Sequence, residues 1–494
     1  MIGGHARALD PAPAILPTAP SPDPAHGGRR TSHMADALDV AATSHRAQGV
    51  GRLLSRRELF DLSAYWLAIN LLWGALGISL LPLLMVELVC GGDAACTHPT
   101  PIWGVFAPGK GVAEALIVNA GLLVAILVQP TAAAVSDVVA TRLGRRKPFI
   151  LVGTLLDVAF LAGLYLAHAW IGVFVFYVLL QGSSNLAQGP FQAYVPDLVP
   201  AAQVGIAGGL MGLMVLLGEG GGPMLVTLAN GLGNPRAVVL PIMAVELATM
   251  GLTVLRVREG PAAPARAGRS WLAVARGAWA RDLLAERSYV WLLASRLFLL
   301  MGGTTVSAVG FYYMQDAFGL GQSAALGDTF LAGALVVACG ALVALPAGRA
   351  SQRLGRKRTI RAAAALGLVG MLAVALAPAV PVALLAIVPI GLGTGAFLAV
   401  DWALLADIVP KAQSGRYMGI SNVVTAGASA LAAASGLTLV DLGNGLLGLG
   451  AGPRLAFAAG ALDFLVGALL LTRVTERRRE ADESRAPLPA SHPG

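Results

Sequence analysis

Two loop signatures occur twice in this chain, in the same order and at nearly the same spacing. Arg142-Leu143-Gly144-Arg145-Arg146-Lys147 returns about 210 residues later as Arg353-Leu354-Gly355-Arg356-Lys357-Arg358. Asp197-Leu198-Val199-Pro200-Ala201-Ala202-Gln203-Val204-Gly205 returns at a similar offset as Asp407-Ile408-Val409-Pro410-Lys411-Ala412-Gln413-Ser414-Gly415. Each copy lies between apolar stretches of membrane length. Two signatures kept in phase mean a duplicated membrane unit, whose halves can rock against one another.

The apolar stretches set the fold class. Segments of about 20 apolar residues span a bilayer. Twelve such segments are present, near 62–89, 111–136, 148–168, 170–195, 204–228, 237–256, 289–313, 326–346, 360–379, 382–405, 415–439 and 454–473. A backbone in lipid must satisfy its own hydrogen bonds, so these segments are helices. The chain is 56% apolar and 13% charged, against about 25% charged in soluble domains. The expectation is an all-α membrane protein of twelve transmembrane helices in two six-helix halves.

The net charge of +8 does not point to nucleic acid, because the excess sits in alternate loops. Arg46, Arg52, Arg56 and Arg57 precede span 1, and Arg142 to Lys147 follow span 2. The central loop carries seven arginines, from Arg256 to Arg287, and Arg349 to Arg361 follow span 8. The opposite loops hold Lys110, Arg236 and Arg454. Positive loops stay inside, so both termini are placed in the cytoplasm of a cell-membrane protein.

The expected organisation is a disordered cytoplasmic tail over 1–58, an N-terminal half over 59–256 and a linker over 257–288. A C-terminal half over 289–474 and a second tail over 475–494 complete it. Met34 is an alternative start. Trp271-Leu272 and Trp279 suit a short surface helix within the linker. Cys90 and Cys96 share a loop placed outside; a bridge would fit there, but two free thiols is the simpler expectation. Cys339 reads as packing.

Local detail narrows the class. Ser136-Asp137, five residues, then Arg142 to Phe149, together with Gln188-Gly189-Pro190, Asp197 and Trp73-Gly74-Ala75-Leu76, resemble the glycoside–pentoside–hexuronide and sucrose transporter group. That group belongs to the major facilitator superfamily. The resemblance implies the major facilitator fold, with pseudo-twofold halves and a central cavity lined by helices 1, 4, 7 and 10. It also implies secondary transport of a sugar or glycoside, such as a sucrose-like disaccharide, with a proton. The plant sucrose–proton pattern has an Asp and an Arg flanking Gln-Gly-Pro; here those positions are Gln181 and Gln192. A coupling carboxylate must therefore lie elsewhere.

Span 4 carries the clearest polar face. Gln181, Ser184, Asn185, Gln188 and Gln192 recur at three- and four-residue steps, which puts them on one side of a helix. Amides facing lipid are costly, and amides both donate and accept, which suits sugar hydroxyls. Span 1 adds Asn70 and Trp73, with Trp66 as an interfacial anchor. An indole beside amides can hold the C–H face of a pyranose.

Intramembrane charges supply further candidates. Arg296 and Asp401 lie on two expected cavity helices, and Asp401 and Glu219 are candidates for proton coupling. Asp157, Glu246 and Asp463 fall on peripheral spans, where interhelical partners are expected. The resemblance assigns a cytosolic gate to the repeated loops: Asp137, Arg142, Arg145, Arg146 and Asp197 in the first half, Arg353, Arg356 and Asp407 in the second.

The run Gly220-Gly221-Gly222-Pro223 lacks the Gly-Lys-Ser/Thr ending of a phosphate loop. With no Walker motif, metal-ligand spacing or nucleophile elbow, neither a cofactor nor an enzyme is expected. The expected partners are a small molecule, a proton and the bilayer, with the chain a monomer. Proton-coupled efflux is the rival within the class, and a non-transporting receptor or scaffold the rival outside it.

Overall fold

The computed structural model describes residues 53–475, apart from 97, 103, 105, 140, 201–202, 260–285 and 409–413. Most of the expected N-terminal tail, nearly all of the C-terminal tail and most of the linker, with Trp271 and Trp279, lie outside these residues.

Twelve helices long and apolar enough to cross a membrane are present among the described residues. They are α1 (Arg56–Leu88), α2 (Lys110–Ser136), α3 (Lys147–Leu166), α4 (Trp170–Gln192), α5 (Val204–Gly231) and α6 (Val239–Arg256) in the N-terminal half. The C-terminal half contains α7 (Arg287–Ala317), α8 (Gln322–Leu354), α9 (Arg356–Leu376), α10 (Val380–Ile408), α11 (Ser414–Leu447) and α12 (Ala451–Leu470). The protein is a multi-pass membrane protein. Apolar stretches of this length have no other way to satisfy their backbones in lipid.

Local signals set several boundaries. Ser55 caps α1: its hydroxyl accepts from the Glu58 backbone N–H, and the Glu58 carboxylate accepts from the Ser55 N–H. This reciprocal box adds a turn that the apolar count alone misses, so α1 begins at Arg56 rather than near 62. Lys147-Pro148 opens α3, where a proline loses nothing by lacking an N–H.

Two helices contain a wide π turn, Leu76–Leu80 in α1 and Tyr313–Ala317 at the end of α7. They occupy corresponding places in the two halves. Such turns often mark functional positions. Pro82 follows the first of them, in the opening turn of the resumed helix.

Helices pack closely where glycine removes the side chain. Gly218 and Gly222 seat α5 on α1, and a Cβ on Gly222 would stand 2.3 Å from the Ala75 nitrogen. Gly391 and Gly395 seat α10 on α8 in the same way. Small residues at helix contacts replace the hydrophobic drive that lipid cannot supply.

The loop between α1 and α2 corrects one expectation. Cys90 and Cys96 are joined by a disulfide rather than left as free thiols. Cys90 is buried under this loop, and the short spacing brings the pair together.

Candidate functional site

A cavity of about 450 Å³ lies between the halves. From α1 it takes Asn70, Trp73, Gly77 and Ile78; from α4 it takes Tyr177, Gln181, Asn185 and Gln188. Glu114, Val118, Leu122, Ala125 and Gln129 of α2, Gly74 of α1 and Glu219 of α5 complete the N-terminal wall. The C-terminal wall is milder: Thr304 and Ser307 of α7, and Ser429 with small apolar residues of α11.

The α4 stripe is pre-arranged. Asn185 Nδ2 donates to the Gln181 backbone carbonyl at 2.8 Å and to its Oε1 at 3.2 Å, while Gln181 Nε2 reaches the Tyr177 hydroxyl at 3.4 Å. Asn70 donates to the Trp66 carbonyl at 2.7 Å. Trp73 meets Tyr177 edge to face, with ring centroids 5.8 Å apart. Amides and an aromatic corner therefore share one wall, an arrangement suited to a molecule with hydroxyls and an apolar face.

Polar contacts cross between the halves near one end of the helices. This far end is opposite the repeated basic loops. Lys110 of α2 donates to Asp316 of α7 at 2.6 Å and to the Ala94 carbonyl at 2.6 Å. Asn444 of α11 donates to the other Asp316 oxygen at 2.8 Å. Asp441 of α11 accepts from the backbone N–H groups of Gly111 and Val112, at 3.1 and 2.6 Å. A carboxylate there satisfies donors that the first turn of a helix leaves open. One turn deeper, Tyr312 donates to Glu114 at 2.5 Å. Asn230 and Ser323 join α5 to α8 at 3.0 Å at the same end.

The repeated loop of the N-terminal half forms a second polar cluster. Arg146, almost fully buried, donates to Asp137 at 2.9 Å, to Asp197 at 2.6 Å and to the Pro190 carbonyl at 2.8 Å. Arg145 pairs with Asp197 as well. Glu259 accepts from the backbone N–H groups of Arg145, Arg146 and Lys147 at the start of α3, the closest at 2.5 Å. Tyr194 donates to the same carboxylate at 2.6 Å. Burial and this acidic partner hold the Tyr194 phenol well above its usual range, so it stays a donor.

A sequence profile of the Major Facilitator Superfamily matches residues 103–433 and, again, 330–492. The chain belongs to the Major Facilitator Superfamily. No curated protein sequence matches it. Among solved structures, the nucleoside transporter NupG is similar at 12% identity and a TM-score of 0.64, over 84% of this chain and 99% of that one. A D-xylose–proton symporter is similar at 16% identity and 0.63, over 85% and 97%. An auto-inhibited POT family peptide transporter gives 14% identity and 0.63, over 86% and 98%. These likenesses show the facilitator fold.

Within that fold, the expected site residues separate into two groups. Asn70, Trp73, Gln181, Asn185, Gln188 and Glu219 come together in the cavity. Gln192 ends α4 beyond its lining. Arg296 and Asp401 are buried against one another outside it, and Arg296 also reaches Thr425 at 3.1 Å. The described lining draws on α1, α2, α4, α5, α7 and α11, and none of it comes from α10. Asp401 stands towards the basic-loop end of α10, a helix that contributes nothing to the described lining. Trp66 packs on Phe191, with centroids 5.7 Å apart, rather than serving as a surface anchor.

The remaining charges also have identifiable places. Arg142 and Arg353 are exposed, and Arg356 donates to Ser351 at 2.8 Å. The Asp407 side chain lies outside the described residues. Asp157 accepts from Ser183, the interhelical partner expected of it. Glu246 is buried on α6. Asp463 has no hydrogen-bond partner among the described residues.

Sequence reasoning missed Glu114, Lys110, Asp316, Asp441 and Glu259. Lys110 and Glu114 are four residues apart near the start of span 2, and so share a face. That spacing was the available signal. It was masked by the nearness of both residues to a membrane boundary, where charges are ordinary.

Proposed function

We propose that this facilitator is a secondary carrier that moves a sugar or glycoside together with a proton by alternating access. The observation that carries the reading is the amide and aromatic wall of Asn70, Trp73, Tyr177, Gln181, Asn185 and Gln188, enclosed between two halves. Side-chain amides at membrane depth are expensive unless they meet a polar ligand or water. A Trp73–Tyr177 corner offers a face for pyranose C–H groups. A sucrose-like disaccharide is the first substrate to try.

The positive-inside rule places the basic loops and both termini in the cytoplasm of a cell-membrane protein. The Lys110–Asp316 end then faces outward and is closed, and the cavity is served from the cytosol. The Arg146 cluster is the N-terminal half's part of the cytosolic gate, and it ties the ends of α2, α3 and α4 to one another. The cavity acids Glu114 and Glu219 are the groups positioned to exchange a proton with the cavity, whereas Asp401 is held by Arg296. The monomer contains both walls and is the working unit.

The test is uptake of radiolabelled disaccharides into proteoliposomes, with and without an inward proton gradient. Accumulation that collapses with the gradient and is lost in Gln181→Ala and Trp73→Ala supports the reading. Uptake of no sugar in either condition rejects it.

A further inference from the structure

The charge of the cavity is one-sided. Two carboxylates line it, Glu114 and Glu219, and no lysine, arginine or histidine does so among the described residues. The nearby cations are engaged elsewhere. Arg296 is bound to Asp401 and Thr425, and Lys110 to Asp316 and the Ala94 carbonyl. An anionic substrate, such as a hexuronate or a phosphorylated sugar, would meet charge of its own sign in a medium that screens poorly.

The two carboxylates differ. Glu114 receives the Tyr312 hydroxyl. Glu219 has no hydrogen-bond partner among the described residues and is exposed into the cavity from α5. Its position is set by α1: a Cβ on Gly74 would stand 2.9 Å from the Glu219 carbonyl oxygen. The bare glycine lets α5 approach, and it is the residue next to Trp73. The Glu219 carboxylate and the Trp73–Tyr177 corner line the same cavity. That pairing recognises an ammonium group, through a charge-assisted hydrogen bond and attraction to ring faces.

We propose that the substrate carries a protonated amine beside its hydroxyls, as in an amino sugar or aminoglycoside, and that Glu219 is the anchor for the amine. The proposal rests on the carrier reading for its cavity and adds the charge of the ligand. Hydroxyls find Asn185, Gln181 and Gln188, the C–H face finds Trp73, and the ammonium finds Glu219. Glu114, with its own donor, remains for the coupling proton. An inorganic cation fits less well, because no cluster of three metal-ligating side chains occurs among the described residues.

The test is equilibrium binding to the full chain in nanodiscs at neutral pH, with three matched disaccharides. One carries two glucosamine units, one is neutral cellobiose, and one contains glucuronate. Wild type should prefer the amine to the neutral sugar by about tenfold or more, the scale of one charge-assisted hydrogen bond, and should not bind the acid. Glu219→Gln should erase the preference for the amine over cellobiose. Phenethylamine, an amine without hydroxyls, is a fourth probe.

Equal or better binding of cellobiose or the acid by wild type overturns the proposal, whether or not the variant folds. So does a preference that survives Glu219→Gln. Neutral-sugar uptake whose proton dependence disappears with Glu219→Gln assigns the carboxylate to the proton and overturns it too. If no disaccharide binds but phenethylamine does so through Glu219, the sugar reading fails and the amine anchor stands. No Glu219-dependent binding of either amine removes the anchor itself.

Discussion

Lys110 and Asp316 form a buried ion pair of 2.6 Å that ties α2 to α7 across the two halves. One turn along both helices, Glu114 and Tyr312 repeat the connection. The four residues make a two-rung ladder, since positions four apart share a helix face. Removing Lys110 leaves Asp316 buried with only Asn444 as a side-chain donor. Breaking one member of a buried pair costs about 3–5 kcal/mol. Lys110→Met should therefore destabilise the closed far end and shift the population towards the open one. Spin labels at Leu232→Cys and Leu446→Cys, exposed on opposite halves at that end, should move apart. An unchanged distance would show that the pair does not hold the halves. Lys110→Met/Asp316→Leu should open the same end with a smaller loss of thermal stability than either single variant.

The basic cluster makes a different prediction for two adjacent arginines. Arg146 is almost fully buried and bridges Asp137, Asp197 and the Pro190 carbonyl, whereas Arg145 is partly exposed and meets Asp197. Exposed pairs contribute about 0–1 kcal/mol, and buried hydrogen-bonded ones contribute more. Arg146→Ala should reduce turnover at least about tenfold, a barrier change of about 1.4 kcal/mol. Arg145→Ala should stay within a few-fold of wild type. Single-turnover exchange in proteoliposomes checks the order, and equal losses would remove Arg146 as the bridge.

Much of this is legible in the sequence alone. The doubled Arg-Leu-Gly-Arg loops imply two like halves, and the three- and four-residue steps from Gln181 to Gln188 imply a wall of the cavity. Those signals are periodic and local, so they survive without tertiary information. The far-end ladder is different. Lys110, Asp316 and Asp441 are charges near helix ends, common in any membrane protein, and only folding shows that they meet. Asp401, which pairs with Arg296 and does not line the cavity, shows the opposite limit. A lone acid in an apolar span looks functional, and its depth relative to the cavity floor depends on helix tilt and register. Glu259 follows α6 directly and reads as linker; its place at the start of α3 comes from the return of the chain.

The Arg296–Asp401 pair yields the third prediction. It is buried on both sides and separate from the cavity. Asp401→Asn should lower the melting temperature, because the Arg296 guanidinium loses its buried counter-charge. It should leave the ratio of accumulated to external substrate unchanged under a fixed proton gradient. Accumulation measured alongside a melting curve separates the two effects. Loss of accumulation at wild-type stability would return Asp401 to the coupling machinery.

The glycine run in α5 allows opposite signs at neighbouring positions. A Cβ on Gly222 would stand 2.3 Å from the Ala75 nitrogen and 2.7 Å from the Leu71 carbonyl oxygen. Both are backbone atoms of α1, so the helices themselves must separate. Gly222→Ala should destabilise the N-terminal half by about 1–3 kcal/mol, the usual range for overpacking. A Cβ on Gly220 would meet nothing within 4 Å. Gly220→Ala should instead stabilise α5 by about 1 kcal/mol, through helix propensity alone. Because α5 carries Glu219, a forced gap at Gly222 should also weaken ligand binding, while Gly220→Ala should leave it unchanged. Melting curves and binding isotherms on the two variants test both signs, and matching behaviour would mean that the close α1–α5 contact does not position the carboxylate.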